Sequence, residues 1–94
     1  MAAEIKGIYI PGKVLADTSL GAQQKLVLAL MLAEADDDNI CRLSSQEIGD
    51  RLAVTKATAA LARQALCQAG WLRRMPKTVR NYKILRIRRK PKND

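Results

Sequence analysis

Residues 44–72, SSQEIGDRLAVTKATAALARQALCQAGWL, decide the fold. The stretch opens with Ser44, Ser45, Gln46 and Glu47 in capping-box spacing. In that arrangement the Ser44 hydroxyl accepts from the backbone N–H of Glu47, and the Glu47 side chain accepts from the N–H of Ser44. A helix over Ser45 to Leu52 follows, with Ile48 and Leu52 on its inner face. Gly49 is costly in a helix interior, so its presence predicts that another helix passes close by. Thr55 caps a further helix, leaving only Ala53 and Val54 for the turn. Along that helix Ala59, Ala62, Leu66 and Ala69 recur at i, i+3, i+7 and i+10, which marks the inner face. Gly70 supplies the residue type best suited to a left-handed C′ position. The outward side of this helix carries Lys56, Ala57, Ala60, Leu61 and Gln64, and is nearly bare of long polar side chains.

Upstream, "IYIP" at 8–11 reads as a short edge strand ended by the turn signal Pro11-Gly12. "KVLAD" suits a brief helical turn. Thr18 or Ser19 is placed to cap a helix from about Leu20 to Ala35. That helix has two apolar stripes, Leu26/Leu30/Ala33 and Leu28/Leu32/Ala35. A helix apolar nearly all round is either deeply buried or shared with a second molecule, and Leu28, Leu32 and Ala35 are the residues expected at a homodimer contact. "DDDN" at 36–39 reads as a solvated turn, because no further acidic ligand follows at loop spacing. "ICRL" at 40–43 reads as a short strand. Downstream, "WLRR" and "YKILRIRR" read as two strands joined by "MPKTVRN", where Pro76 and Asn81 favour a turn. "KPKND" reads as a loose tail. The expected class is α+β, mainly helical with a small antiparallel sheet.

The 94-residue chain is long enough for one domain with a modest core. It has no Phe and a single Trp, so that core is expected to be Leu, Ile, Val, Ala and Met, with Trp71 inside it. No apolar run reaches the roughly 20 residues of a membrane span, and the N-terminal residues lack the pattern of a secretory signal. A cytoplasmic protein is expected. Cys41 and Cys67 stand far apart and the chain has no His, which argues against a zinc site and for two reduced thiols. No cofactor is implied. The absence of His, of an acid pair among the basic residues and of a Gly-rich phosphate loop argues against an enzyme. Charge is sharply segregated. Residues 1–50 hold four Lys or Arg against eight Asp or Glu, whereas residues 51–94 hold thirteen against Asp94 alone. Such asymmetry points to a polyanionic partner. Only Tyr82 and Trp71 offer rings for base stacking, which is thin support for single-stranded nucleic acid.

The order helix, short strand, capped helix, tight turn, helix, strand, basic loop, strand resembles the winged helix-turn-helix family of bacterial and phage DNA-binding domains. The resemblance covers about 20–89. It is carried most specifically by Ser44, Gly49, Leu52, Val54-Thr55, the helix 55–69 and Gly70-Trp71-Leu72. The lead "IYIPGKVLADTSLGAQQKLVLALML" looks most like the DNA-binding modules of plasmid and phage replication or maintenance proteins. The resemblance implies that helix 55–69 lies in the major groove of double-stranded DNA, and that the wing loop 75–81 meets the adjacent groove or backbone. Thr55, Lys56 and the first-turn N–H groups would hold a phosphate, and Ser45 another. Thr58 lies on the same first turn. Gln64 can pair bidentately with adenine, while Ala57 and Ala60 touch thymine methyls or let the backbone approach. Arg73, Arg74, Lys77, Arg80 and Lys83 would supply phosphate contacts. Ala53 stands where the family often has Gly, and Arg63 where it often has an apolar residue; the Arg63 stem is expected to pack while its head emerges. Leu61 stands where a base-reading polar residue is common, so the alternative use of the fold is docking of a protein partner through the Leu61 face.

Overall fold

A helix starts where a side chain replaces a missing backbone partner, and the chain does this at each of its two central helices. The computed structural model describes residues 9–76 and 81–87. In it Ser44 Oγ accepts from Glu47 N at 3.1 Å and Glu47 Oε1 accepts from Ser44 N at 2.8 Å. Thr55 Oγ1 accepts from Thr58 N at 3.1 Å. The elements in chain order are α1 (Gly12–Leu15), α2 (Ala22–Ala33), β1 (Ile40–Cys41), α3 (Ser45–Leu52), α4 (Lys56–Gln68), β2 (Leu72–Arg74) and β3 (Tyr82–Ile84). The strands form one antiparallel sheet in the order β1-β3-β2. Helices followed by a small sheet of this topology make the arrangement winged-helix-like.

α3 and α4 pack on each other and α4 packs on α2. Their inner faces close one core containing Val14, Val27, Leu28, Met31, Ile48, Leu66, Trp71 and Ile84. Because Val14 and Leu20 belong to that core, the lead before α2 is part of the domain rather than an appendage.

Several local expectations need correction. Tyr9 and Ile10 form no strand, and Ile8 lies outside the described residues. Neither Thr18 nor Ser19 caps α2. Asp17 Oδ1 instead accepts from both the N (2.9 Å) and the Oγ (2.6 Å) of Ser19, and the helix begins after Gly21, whose N–H donates to Gln24 Oε1 at 2.9 Å. Gly49 admits the turn rather than another helix: a Cβ there would lie 2.7 Å from the carbonyl oxygen of Val54. That turn is closed by Ala53 in the left-handed region, φ 58°, a conformation costing a non-glycine residue roughly 1–3 kcal/mol. β3 stops at Ile84 rather than continuing through "LRIRR", because Arg86 turns the backbone at φ 74°. Arg88, Arg89 and the tail lie outside the described residues.

The dimer expectation is also altered. Leu28, Leu32 and Ala35 are all buried in the chain's own core, so they do not offer a surface to a second copy. The apolar girth of α2 is consumed internally by α1, α3 and α4. Leu26, on the other stripe, is the large apolar residue of α2 that remains exposed.

The "DDDN" turn is built on one carboxylate. Asp36 Oδ1 accepts from Asp38 N at 2.9 Å and Ile40 N at 3.0 Å, and Oδ2 accepts from Arg42 at 2.8 Å. The Ile40 N–H above all holds this carboxyl below its ordinary pKa. Asn39 follows in the left-handed region, φ 65°, where Asn is tolerated better than most residues. Its buried amide donates to the carbonyls of Ile84 and Ile87, both at 2.7 Å, and so fixes the end of β3 to the turn.

Candidate functional site

On α4, residues 57, 61, 64 and 68 share one side at helical spacing, and Ala57, Leu61, Gln64 and Gln68 are all exposed. Ala60 is exposed beside them. The opposite side, Ala59, Ala62 and Leu66, is buried. The inner and outer faces therefore fall where the sequence places them. α4 contains no Asp or Glu. Its exposed first turn carries Thr55 and Lys56, with Thr58 half-buried behind them. Thr55 caps the N-terminus and also donates its hydroxyl to Thr58 Oγ1 at 2.8 Å, so the first turn is ordered without any ligand. Leu61 is 65% exposed. It borders a shallow groove against the start of α2, whose opposite wall includes Gln23 and Gln24.

Arg63 departs from expectation, and it organises the site. Its head does not emerge: the residue is 4% exposed. The guanidinium donates from Nη1 to the carbonyl of Leu43 at 2.9 Å and from Nη2 to Ser45 Oγ at 2.7 Å. It also lies over the Tyr82 ring, 4.3 Å from the centroid. One side chain of α4 thus ties together the entrance to α3 and strand β3. The planar fork is what lets one cation reach two acceptors and a ring together. Burial pushes its pKa down from the usual value, though a guanidinium stays charged at any relevant pH. The same burial pushes the Cys41 and Cys67 thiols up, which keeps both protonated and poor nucleophiles.

Ser45, an expected phosphate ligand, is therefore already engaged as an acceptor. A hydroxyl that accepts one hydrogen bond still has its own proton to donate, so it remains able to meet an anion at the start of α3.

The register of the sheet sorts the cations of the wing. Arg73 is paired with Lys83, and Arg74 with Tyr82. Residues directly opposite share a face and neighbours alternate. Arg73 and Lys83 therefore lie on one side of the ribbon, while Arg74 lies on the other with Tyr82. These three cations form two rows, one on each face. Arg73 and Arg74 are exposed and Lys83 is half-buried. Among the described residues none of Lys56, Arg73, Arg74 and Lys83 is ion-paired with an acid, whereas Arg42 and Arg51 pair with Asp36 and Glu34. Lys77 and Arg80, also expected in this site, lie outside the described residues.

Comparison of the chain with protein-family models, curated proteins and solved structures finds no match. Among the described residues no helix is long and apolar enough to cross a membrane, and no cluster of three or more Cys, Asp or Glu is placed to hold a metal ion.

A second cluster was not anticipated. Trp71, 1% exposed, donates its indole N–H to Asp17 Oδ2 at 2.7 Å. Arg86 stacks over the ring face, 4.0 Å from the centroid. Hydrogen bonds from Ser19 and then from the Trp71 indole lower the Asp17 pKa to about 2. The sequence signals for these contacts are weak, since Asp17, Trp71 and Arg86 are distant in the chain. A Trp immediately after a helix-ending Gly is the one local hint.

Proposed function

We propose that this chain binds double-stranded DNA, with α4 in the major groove and the β2–β3 loop on the adjacent groove or backbone. The observation that carries the reading is the outer side of α4. It is exposed, free of acids and narrow enough in its first half to enter a groove, and Lys56 stands at its N-terminal end. The major groove of B-DNA admits an α-helix, and the small side chains of Ala57 and Ala60 let this one approach the base edges closely. Lys56 and the ordered N-terminus of α4 supply positive potential at the point of entry. Arg73 and Lys83 on one face of the ribbon, with Arg74 on the other, can meet phosphates on either side of it. Arg63 supports the reading indirectly, since it holds the entrance of α3, α4 and the ribbon as a single unit that can be presented to a rigid duplex.

Within that reading, the lead and helix order favour a transcription regulator or an accessory protein of plasmid or phage replication or maintenance. The test is duplex binding as a function of salt. Log K against log salt should fall by about 0.9 per phosphate contact. The double variant Arg73→Ala, Lys83→Ala should flatten that slope by roughly 1.8 if both side chains meet phosphates. A salt-independent interaction would remove the basis for the reading, and a slope the double variant does not change would remove Arg73 and Lys83 from the phosphate contacts.

The exposure of Leu61 favours a second reading, a winged-helix-like module that docks a protein through that face. Leu61→Glu would then abolish capture of a protein partner.

A further inference from the structure

The outer side of α4 has a chemistry that phosphate contacts leave unused. Its exposed members after Lys56 are Ala57, Ala60, Leu61, Gln64 and Gln68. None is charged, and the most prominent is a leucine projecting from the middle of the helix, 65% exposed. Isolated surface leucines are ordinary. This one stands four residues after Ala57 and three before Gln64, on the line along which an inserted helix would meet base edges. A polar reader at that point would select hydrogen-bonding groups. A leucine has no such group, and in the major groove the one apolar feature of the natural base pairs is the C5-methyl of thymine.

We infer that Leu61, with Ala57 and Ala60, reads the C5-methyl groups of thymine, so that the preferred duplexes are thymine-rich and are recognised by hydrocarbon contact. The inference rests on the duplex-binding reading above and names what that site selects. The occupant fits by charge as well as by shape. Cations border the strip, with Lys56 at one end of the helix and Arg74 on the same face of the ribbon as the buried Leu72 and Ile84, the side on which α4 packs, which suits a polyanion. The strip itself is neutral and mostly apolar, which suits the methyl-lined floor of its groove. Gln64, one turn further along, supplies a donor–acceptor pair that matches an adenine.

The experiment compares mixed-sequence, A·T-rich duplexes of identical sequence made with thymine or with uracil, a change that deletes the methyl and nothing else. Affinities are measured at one salt concentration, and salt slopes for both. The expected result is a loss of about fourfold in affinity for each contacted methyl removed, the equivalent of burying one methyl-sized group, with the salt slope unchanged. Leu61→Ala, an exposed truncation that leaves the core alone, should shrink the thymine-to-uracil ratio. Equal affinity for the two duplexes with a steep salt slope would overturn the methyl inference and leave DNA binding standing. A ratio that Leu61→Ala does not alter would also overturn the assignment to this residue. Absence of salt-dependent binding to either duplex would overturn both.

Discussion

Replacing Arg63 with Met tests whether the buried guanidinium holds the site together. Met keeps an unbranched stem of similar length and removes the charge. What is lost can be worked from the contacts. Two hydrogen bonds from a charged donor, to the carbonyl of Leu43 and the hydroxyl of Ser45, contribute about 1.5–3 kcal/mol each. The stacking over Tyr82 adds roughly 0.5–2 kcal/mol. Against this, the folded state no longer has to dehydrate a guanidinium, a penalty of several kcal/mol. Exchanging both members of a buried polar pair for hydrocarbon is often neutral, but here only the donor goes, and the Leu43 carbonyl and Ser45 hydroxyl are left behind. The net expected loss is about 2–3 kcal/mol, which for a domain of this size lowers Tm by roughly 10–20 °C. Thermal unfolding followed by far-ultraviolet circular dichroism measures it. Amide hydrogen exchange adds the positional readout, because the β3 amides and the first turn of α3 should both lose protection relative to α2. A Tm within a few degrees of wild type, with unchanged exchange at both places, would refute the claim that this side chain couples the helix pair to the ribbon.

Two further outcomes follow from local geometry. Gly49→Ala places a Cβ 2.7 Å from the Val54 carbonyl. The variant should lose about 2 kcal/mol or more in urea denaturation, despite the gain of up to about 1 kcal/mol in helix propensity; a stabilised variant would show that the turn yields freely. Asp17 has a folded pKa lowered to about 2 from an ordinary 3.8, so its carboxylate stabilises the fold fully above about pH 4, and that contribution is lost as pH falls through about 2. Wild-type Tm should therefore decline between pH 4 and pH 2 more steeply than that of Asp17→Asn, and parallel curves would contradict the assignment.

The parts of the fold that could be read from the sequence are those whose cause is local. Ser44 and Glu47 sit three residues apart and satisfy each other; Thr55 serves Thr58; Gly70 takes φ 86° one residue beyond the C-cap Ala69. The start of α2 misled for an equally local reason. Ser19 has the composition of a cap, but Asp17, two residues earlier, captures both its polar groups, and Gln24 serves the true start. The buried heads of Arg63 and Asn39 were out of reach of such reasoning. Their partners lie 18 to 48 residues away, and a period-based wheel marks Arg63 only as a cation on an apolar side. At the candidate site, the exposure of Ala57, Ala60, Leu61 and Gln64 was legible from helical spacing. Strand alternation alone separates Arg73 from Arg74, whereas the partner each faces depends on the register with β3.

The indole of Trp71 meets a residue from the lead, Asp17, and one from beyond the last strand, Arg86. As the chain's sole tryptophan, it makes the domain its own optical gauge. Its emission colour and its accessibility to a quencher register whether the lead at Asp17 and the segment after β3 at Arg86 are seated, with no label attached. Loss of either contact should redden that emission before the helix pair has melted.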